Sequence, residues 1–135
     1  MTIKKIIKTR EEWREILPPQ VYEVTRNNGT EPAFHNLYWD NHAKGKYHCS
    51  NCGLSLFDSS VKFESGTGWP SFWQPVNKVH VEEHLDIDGI RTAVECTRCN
   101  SHLGHVFKDG PKPTGLRYCM NSIALVFLPA TWQND

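Results

Sequence analysis

Cysteine is the residue type through which this sequence can do chemistry, and its five cysteines divide as four plus one. Cys49-Ser-Asn-Cys52 and Cys96-Thr-Arg-Cys99 are two Cys-x-x-Cys pairs with residues 53–95 between them. That spacing fits a tetrahedral zinc site, in which each short loop grips the ion with two thiolates. Two disulfides, local or crossed, or two redox Cys-x-x-Cys motifs would draw on the same residues. A redox motif normally opens a helix in a βαβ setting. Here the first pair lies between Lys46-Tyr47-His48 and Gly53-Leu54-Ser55-Leu56, which reads as a knuckle between strands. Four thiolates fill the coordination shell, so one Zn2+ on Cys49, Cys52, Cys96 and Cys99 is expected to be structural rather than catalytic.

Cys119 has no partner in this scheme. A lone thiol is commonly an inert core residue, but its neighbours argue otherwise. In Arg117-Tyr118-Cys119-Met120-Asn121 an extended backbone puts Arg117, Cys119 and Asn121 on one face and Tyr118 and Met120 on the other. A core would have to satisfy a guanidinium, a thiol and an amide together. As a site, the same residues form a nucleophile, a positive charge expected to favour its thiolate, and a hydrogen-bonding amide.

Ser101-His102-Leu103-Gly104-His105-Val106-Phe107 supplies proton chemistry close behind the second pair. His102 and His105 are candidates for acid–base work, supported by whatever the metal pins just before them. Asp109 follows and could orient an imidazole, or simply form the turn before Gly110-Pro111. In Gly66-Thr67-Gly68-Trp69-Pro70 the glycines free the backbone to present a large aromatic. Trp69 is thus a candidate platform for an apolar or methyl group, whereas Trp73 reads as core cover.

The elements that must position these residues are mainly strands. Thr9-Arg10-Glu11-Glu12 is a capping box, and Trp13, Ile16 and Leu17 follow at helical spacing. Pro18-Pro19 ends that helix, and Pro19 can open a second that finishes before Asn28-Gly29. The period then becomes two. Val79, Val81, Leu85 and Ile87 alternate with His80, Glu82, His84 and Asp86, and Asp88-Gly89 is a favoured two-residue turn. A hairpin of residues 79–87 and 90–96 follows, with Leu85 facing Thr92 and Ile87 facing Ile90. Residues 123–128 are apolar on both faces and predict a central buried strand. The expected fold is mainly β: antiparallel sheets, sandwich or barrel-like, with short N-terminal helices and a zinc knuckle pair. One domain over 1–135 is expected, with a helical edge at 1–28 and a zinc-stapled β core at 45–130.

Fifteen Lys+Arg balance fifteen Asp+Glu. A net charge of zero argues against nucleic acid or an anionic membrane as partner. No apolar run reaches the ~20 residues of a membrane span. Charges interrupt the N-terminus before any signal-peptide core forms. Metal-type cysteine spacing fits a reducing compartment, so a cytoplasmic location is expected.

Taken together these segments resemble the methionine-R-sulfoxide reductase (MsrB-type) family over almost the whole chain. The resemblance rests on the Glu-Glu-Trp helix, Gly29-Thr30-Glu31 with Ala33-Phe34, both knuckles, the segment Phe63–Phe72, Ser101–Phe107 and Arg117–Asn121. It implies that Cys119 attacks the sulfoxide sulfur as thiolate. His102 and His105 would supply or relay a proton to the oxygen, and Arg117 would support the thiolate. Trp69 and Asn121, with His105, would hold the S-methyl group and the sulfoxide. Cys119 would become a sulfenic acid as methionine leaves. Many members carry a resolving cysteine where this chain has Thr67. The sulfenic acid is therefore expected to be reduced by an external thiol, either a thioredoxin-like protein or glutathione with a glutaredoxin. The substrate would be methionine-R-sulfoxide in oxidised proteins or as the free amino acid, and the chain is expected to act as a monomer. A zinc-ribbon binding module without catalysis would account for the knuckles but leaves Cys119 and the histidines unexplained.

Overall fold

The computed structural model describes residues 3–130. The N-terminal edge is helical, as its caps require. Thr9 Oγ1 accepts the Glu12 N–H, and the Glu12 carboxylate accepts the Thr9 N–H in return, so α1 (Arg10–Ile16) starts with its free donors satisfied. Pro19 opens α2 (Pro19–Arg26). Trp13 is buried, and the Arg26 guanidinium stacks over its ring at 3.8 Å, which clamps the two helices together. Ile16, predicted on the same face as Trp13, is instead exposed; α1 ends there, and Leu17 packs against the core.

The strands are β1 (Gly45–Cys49), β2 (Ser55–Asp58), β3 (Lys62–Phe63), β4 (Ser71–Phe72), β5 (Val81–Leu85), β6 (Thr92–Cys96), β7 (His102–Phe107), β8 (Arg117–Met120) and β9 (Leu125–Pro129). They form two antiparallel sheets, ordered β2-β1-β9 and β3-β4-β8-β7-β6-β5. The mainly β prediction is therefore correct. The core lies between the sheets. Phe57 of one stacks on Phe72 of the other at 4.4 Å and 15°, and Tyr47 meets Phe72 edge-on at 5.1 Å. Among the described residues no helix is long and apolar enough to cross a membrane.

Two expectations need correction. The predicted hairpin forms in the expected register, Leu85 opposite Thr92, but its regular strands are only β5 and β6. Val79 sits in a short 3-10 turn (Lys78–His80), and Val79, Leu85, Ile87 and Ile90 are exposed. Their alternation is that of a half-buried strand, yet the hairpin tip extends beyond the residues that could cover it. Residues 123–128 do not form a central strand. A 3-10 turn (Ser122–Ala124) takes the first part, and β9 pairs with β1 alone, leaving Val126 exposed at a sheet edge. Two-sided apolarity arises here because one face meets the core while the other lines a groove with Leu17, Val21 and Leu37.

Candidate active site and cysteine cluster

None of the five cysteines is in a disulfide. β1 ends at Cys49 and β6 at Cys96, and each then turns through two residues to present a second thiol. The four sulfurs of Cys49, Cys52, Cys96 and Cys99 all lie within 4.8 Å of one another, with Cys49–Cys99 at 3.5 Å and Cys52–Cys96 at 3.6 Å. Thiolates at about 2.3 Å from a tetrahedral zinc stand about 3.8 Å apart, so the residues fit the ion. The surroundings suit a centre of negative charge. Asn51 N–H points at Cys49 Sγ (3.4 Å). Arg26 bonds the Cys99 carbonyl at 2.8 Å and Arg98 the Cys52 carbonyl at 2.7 Å. Through Arg26 and Thr25, both bonded to Asn51, helix α2 braces the first knuckle. The four cysteines are thus positioned for a structural metal.

Cys119 stands apart from that cluster, in the middle of the larger sheet. β8 runs between β4 and β7, with Ser71 opposite Cys119 on one side and His105 on the other. The alternation predicted for this segment is present. Tyr118 and Met120 are buried, and Arg117, Cys119 and the buried Asn121 line a pocket of about 250 Å³ together with Trp69, His105 and Thr67, with Met120 reaching its edge. β8 approaches β7 closely at Gly104, where a Cβ would collide with the Cys119 carbonyl oxygen; glycine is needed at that crossing.

Sequence reasoning expects Arg117 to depress the Cys119 pKa. The structure reverses that balance. Burial pushes the thiol above its ordinary value, and the Thr67 hydrogen bond and the Arg117 charge recover only part of the shift. Thr67 Oγ1 lies 3.9 Å from Cys119 Sγ, so Thr67 touches this thiol. Arg117 is held by Asp109 through two bonds, 2.9 and 3.1 Å, and stacks over Phe107 at 4.3 Å.

His102 and His105 share a face although residues three apart in a strand should not. The register between β6 and β7 slips here: Val94 faces Gly104, but Glu95 faces His102, which leaves Leu103 as an extra residue. This bulge resets the alternation and brings the two rings to 5.4 Å, edge to face. The two histidines are not equivalent. His105 lines the pocket, whereas His102 is not among its lining residues; it is 4% exposed, and burial with the neighbouring His105 lowers its pKa to about 4.

Asp109 does not orient an imidazole: it is committed to Arg117. The carboxylate on His105 is Asp86, whose Oδ2 lies 2.6 Å from Nε2. In the sequence Asp86 is only a polar position of the hairpin. The register that pairs Leu85 with Thr92 sets Asp86 beside Arg91, but nothing in it records the meeting with His105. Arg91 lines the pocket and reaches Asp86 at 3.4 Å.

Trp69 is half-buried and borders the pocket, as expected of a platform. Gly66 and Gly68 both take positive φ, 76° and 90°, to deliver it. Its indole N–H donates to the Glu31 carbonyl at 2.9 Å. The Glu31 N–H in turn donates to Asn121 Oδ1 (3.0 Å), while Asn121 Nδ2 donates to the Leu103 carbonyl (3.3 Å). Asn121 is therefore first a brace, with one amide hydrogen left for a ligand. Glu31 ties Trp69 to Asn121, a role carried by its backbone and invisible in side-chain pattern.

With this geometry in view, comparison with known proteins is informative. A profile of the SelR domain matches residues 17–129. The peptide methionine sulfoxide reductase MsrB of Thiobacillus denitrificans is 56% identical over 124 residues, 90% of this chain and 94% of its own. That of Acinetobacter baylyi is 51% identical over 123 residues, 90% of this chain and 88% of its own. Among solved structures, the Mis18 'Yippee-like' domain overlaps 63% of this chain at 19% identity and a TM-score of 0.47, too loose a likeness to bear on the site. The chain belongs to the MsrB-type methionine-R-sulfoxide reductase family.

Proposed function

We propose that this chain, as one domain over 1–135, reduces methionine-R-sulfoxide to methionine with Cys119 as nucleophile. The observation that carries this reading is the placement of the Cys119 thiol on a pocket wall between Trp69 and His105, away from the other four sulfurs. At about 250 Å³ the pocket is smaller than the ~300–1,000 Å³ typical of small-molecule sites, which suits one side chain presented by a larger, oxidised protein. The indole of Trp69 offers its face to the S-methyl group, and the remaining Asn121 N–H offers a donor to the sulfoxide oxygen. A fixed methyl platform and a fixed donor accept only one hand of a chiral sulfur.

In the reaction, the Cys119 sulfur attacks the sulfoxide sulfur while His105 protonates the oxygen. His105 is favoured over His102 because it lines the pocket, whereas His102 is kept neutral by burial. Oxygen passes to Cys119, methionine leaves, and Cys119 becomes a sulfenic acid. Two external thiols then restore the Cys119 thiol, yielding their disulfide and water. Thr67 beside Cys119 and the commitment of the other cysteines to the cluster support an external reductant, a thioredoxin-like protein or glutathione with a glutaredoxin. The cluster would hold one Zn2+ on Cys49, Cys52, Cys96 and Cys99, supplying folding energy and no chemistry. Such a site and a single reactive thiol suit a monomer in the reducing cytoplasm.

Turnover of separated R and S epimers with dithiothreitol tests the proposal. The R epimer should be reduced and the S epimer not, and Cys119→Ser should lower the rate by about a thousandfold or more with an unchanged melting temperature. Activity surviving Cys119→Ser, or equal use of both epimers, would overturn it.

A further inference from the structure

We propose that Asp86 is a positioning residue for His105, holding its Nε2–H so that Nδ1 is the nitrogen that delivers the proton to the sulfoxide oxygen. This deepens the reading above and rests on it. The bond between Nε2 and Asp86 Oδ2 is 2.6 Å, and both side chains are nearly shut off from solvent, at 11% and 12% exposure. An ionised carboxylate has no hydrogen to give, so Nε2 must carry the shared proton. Asp86 is held in that state: its pKa lies below the ordinary carboxylate range, chiefly because of the His105 bond. Neutral His105 is therefore the Nε2–H tautomer, and any further proton is taken up and released at Nδ1.

The rest of the turn is built to keep this carboxylate still. Asp86 Oδ1 accepts the Ile87 N–H at 2.6 Å, and the backbone N–H of Asp86 donates to the Arg91 carbonyl at 2.7 Å. Arg91 reaches Asp86 at 3.4 Å, and Asp88 fixes Arg91 from behind at 2.7 Å. The hairpin thus does more than close the sheet. Its tip carries a locked acceptor to a histidine that sits directly opposite Cys119 in the ladder.

The charged groups around His105 are Asp86, Asp88 and Arg91 from the hairpin, His102 on its own strand, and Cys119 and Arg117 (with Asp109) from β8. Of these, Asp86 alone makes a direct hydrogen bond to the ring among the described residues.

The test begins with the wild type. Two-bond nitrogen–proton NMR of the His105 imidazole near pH 8 should show the Nε2–H tautomer, and a proton on Nδ1 would overturn the proposal without any variant. In Asp86→Asn the Nε2–H preference should weaken in the same spectrum, with a proton appearing on Nδ1. At the optimum kcat should drop at least tenfold with KM within twofold, and Asp86→Glu should restore most of it. In a His105→Gln background Asp86→Asn should cost nothing more. An unchanged tautomer in Asp86→Asn, or an equal loss in both backgrounds, would assign Asp86 to the fold alone. Failure of the wild type to reduce the R epimer would instead sink the functional reading, leaving the tautomer result standing.

Discussion

The two sulfur sites of this chain differ in how they are assembled and in what their surroundings allow. The cysteine cluster takes two short loops, each beginning at the end of a strand, and three of its four residues are at most 2% exposed. Charge there is distributed among four sulfurs, with Arg26 and Arg98 bonded to the loop carbonyls. The Cys119 site draws on separate stretches around residues 30, 67–69, 86–91, 102–107 and 117–121, and its one sulfur opens to a pocket. A closed shell of thiolates leaves no position for a reactant. A single thiol beside a cavity, a histidine and a guanidinium leaves little else to do. On the proposed reading the same element serves stability in one place and reactivity in the other, and solvent access with neighbouring donors decides which.

Breaking the cluster should have the largest effect. A four-thiolate zinc site contributes on the order of 10 kcal/mol, comparable with the whole stability of a typical domain, about 5–15 kcal/mol. Cys99→Ser, or removal of metal with a strong chelator, should abolish the cooperative thermal transition followed by circular dichroism. Metal analysis of the wild type should give one zinc per chain. An unchanged melting temperature would remove the distinction between the two sites.

A smaller effect is expected at His102, which joins the regions: it follows Cys99 by three residues and its ring meets His105. Its folded pKa of about 4 lies below the ordinary histidine value near 6.5. Between those values the unfolded chain binds the extra proton, so stability should fall as pH drops from about 6.5 to about 4. This group can contribute at most about 1.4 kcal/mol per pH unit. Urea melts across that range should show a shallower slope for His102→Gln than for wild type; parallel slopes would mean that the ring is not dry.

The smallest effect concerns how Cys119 is tuned. Arg117 offsets part of the burial that raises this thiol. Arg117→Gln should push the thiol further up and slow iodoacetamide alkylation at pH 7.5 about threefold, a modest figure because the guanidinium is already shared with Asp109. In the wild type the alkylation rate should still be climbing above pH 8.5, the ordinary thiol midpoint. Faster alkylation in the variant would mean that Arg117 shields the sulfur rather than attracting its charge.

How far each region could be read from sequence follows the same division. The cluster was legible because its ligands are local pairs, and geometry adds little beyond bringing the pairs together. The face shared by Arg117, Cys119 and Asn121 was legible because strand alternation is a two-residue rule. The hairpin register was legible from the alternation and the position of the turn, although the predicted two-residue Asp88-Gly89 turn forms instead as a four-residue loop closed at Asp86 and Arg91. Asp86 escaped because its partner lies two strands away, on β7, and no periodicity records such a meeting. Asp109 was misassigned on proximity in sequence to His105, although Arg117 is nearer in space. β9 was misread because apolar residues on both faces describe a central strand and an edge strand above a groove equally well. The direction of the Cys119 shift was missed for want of depth: a sequence shows a neighbouring charge, but not how much water has been excluded.

The bulge at Leu103 has a consequence for the length of the chain at this point. A regular strand sorts its residues by parity, even numbers to one side and odd numbers to the other. The extra residue swaps the parity, so that an even-numbered and an odd-numbered histidine look into the same space. Loss of Leu103 would leave both histidines in the sequence. It would nevertheless turn His102 away from His105, because here the count of residues, and not only their identity, decides which side of the strand an imidazole takes.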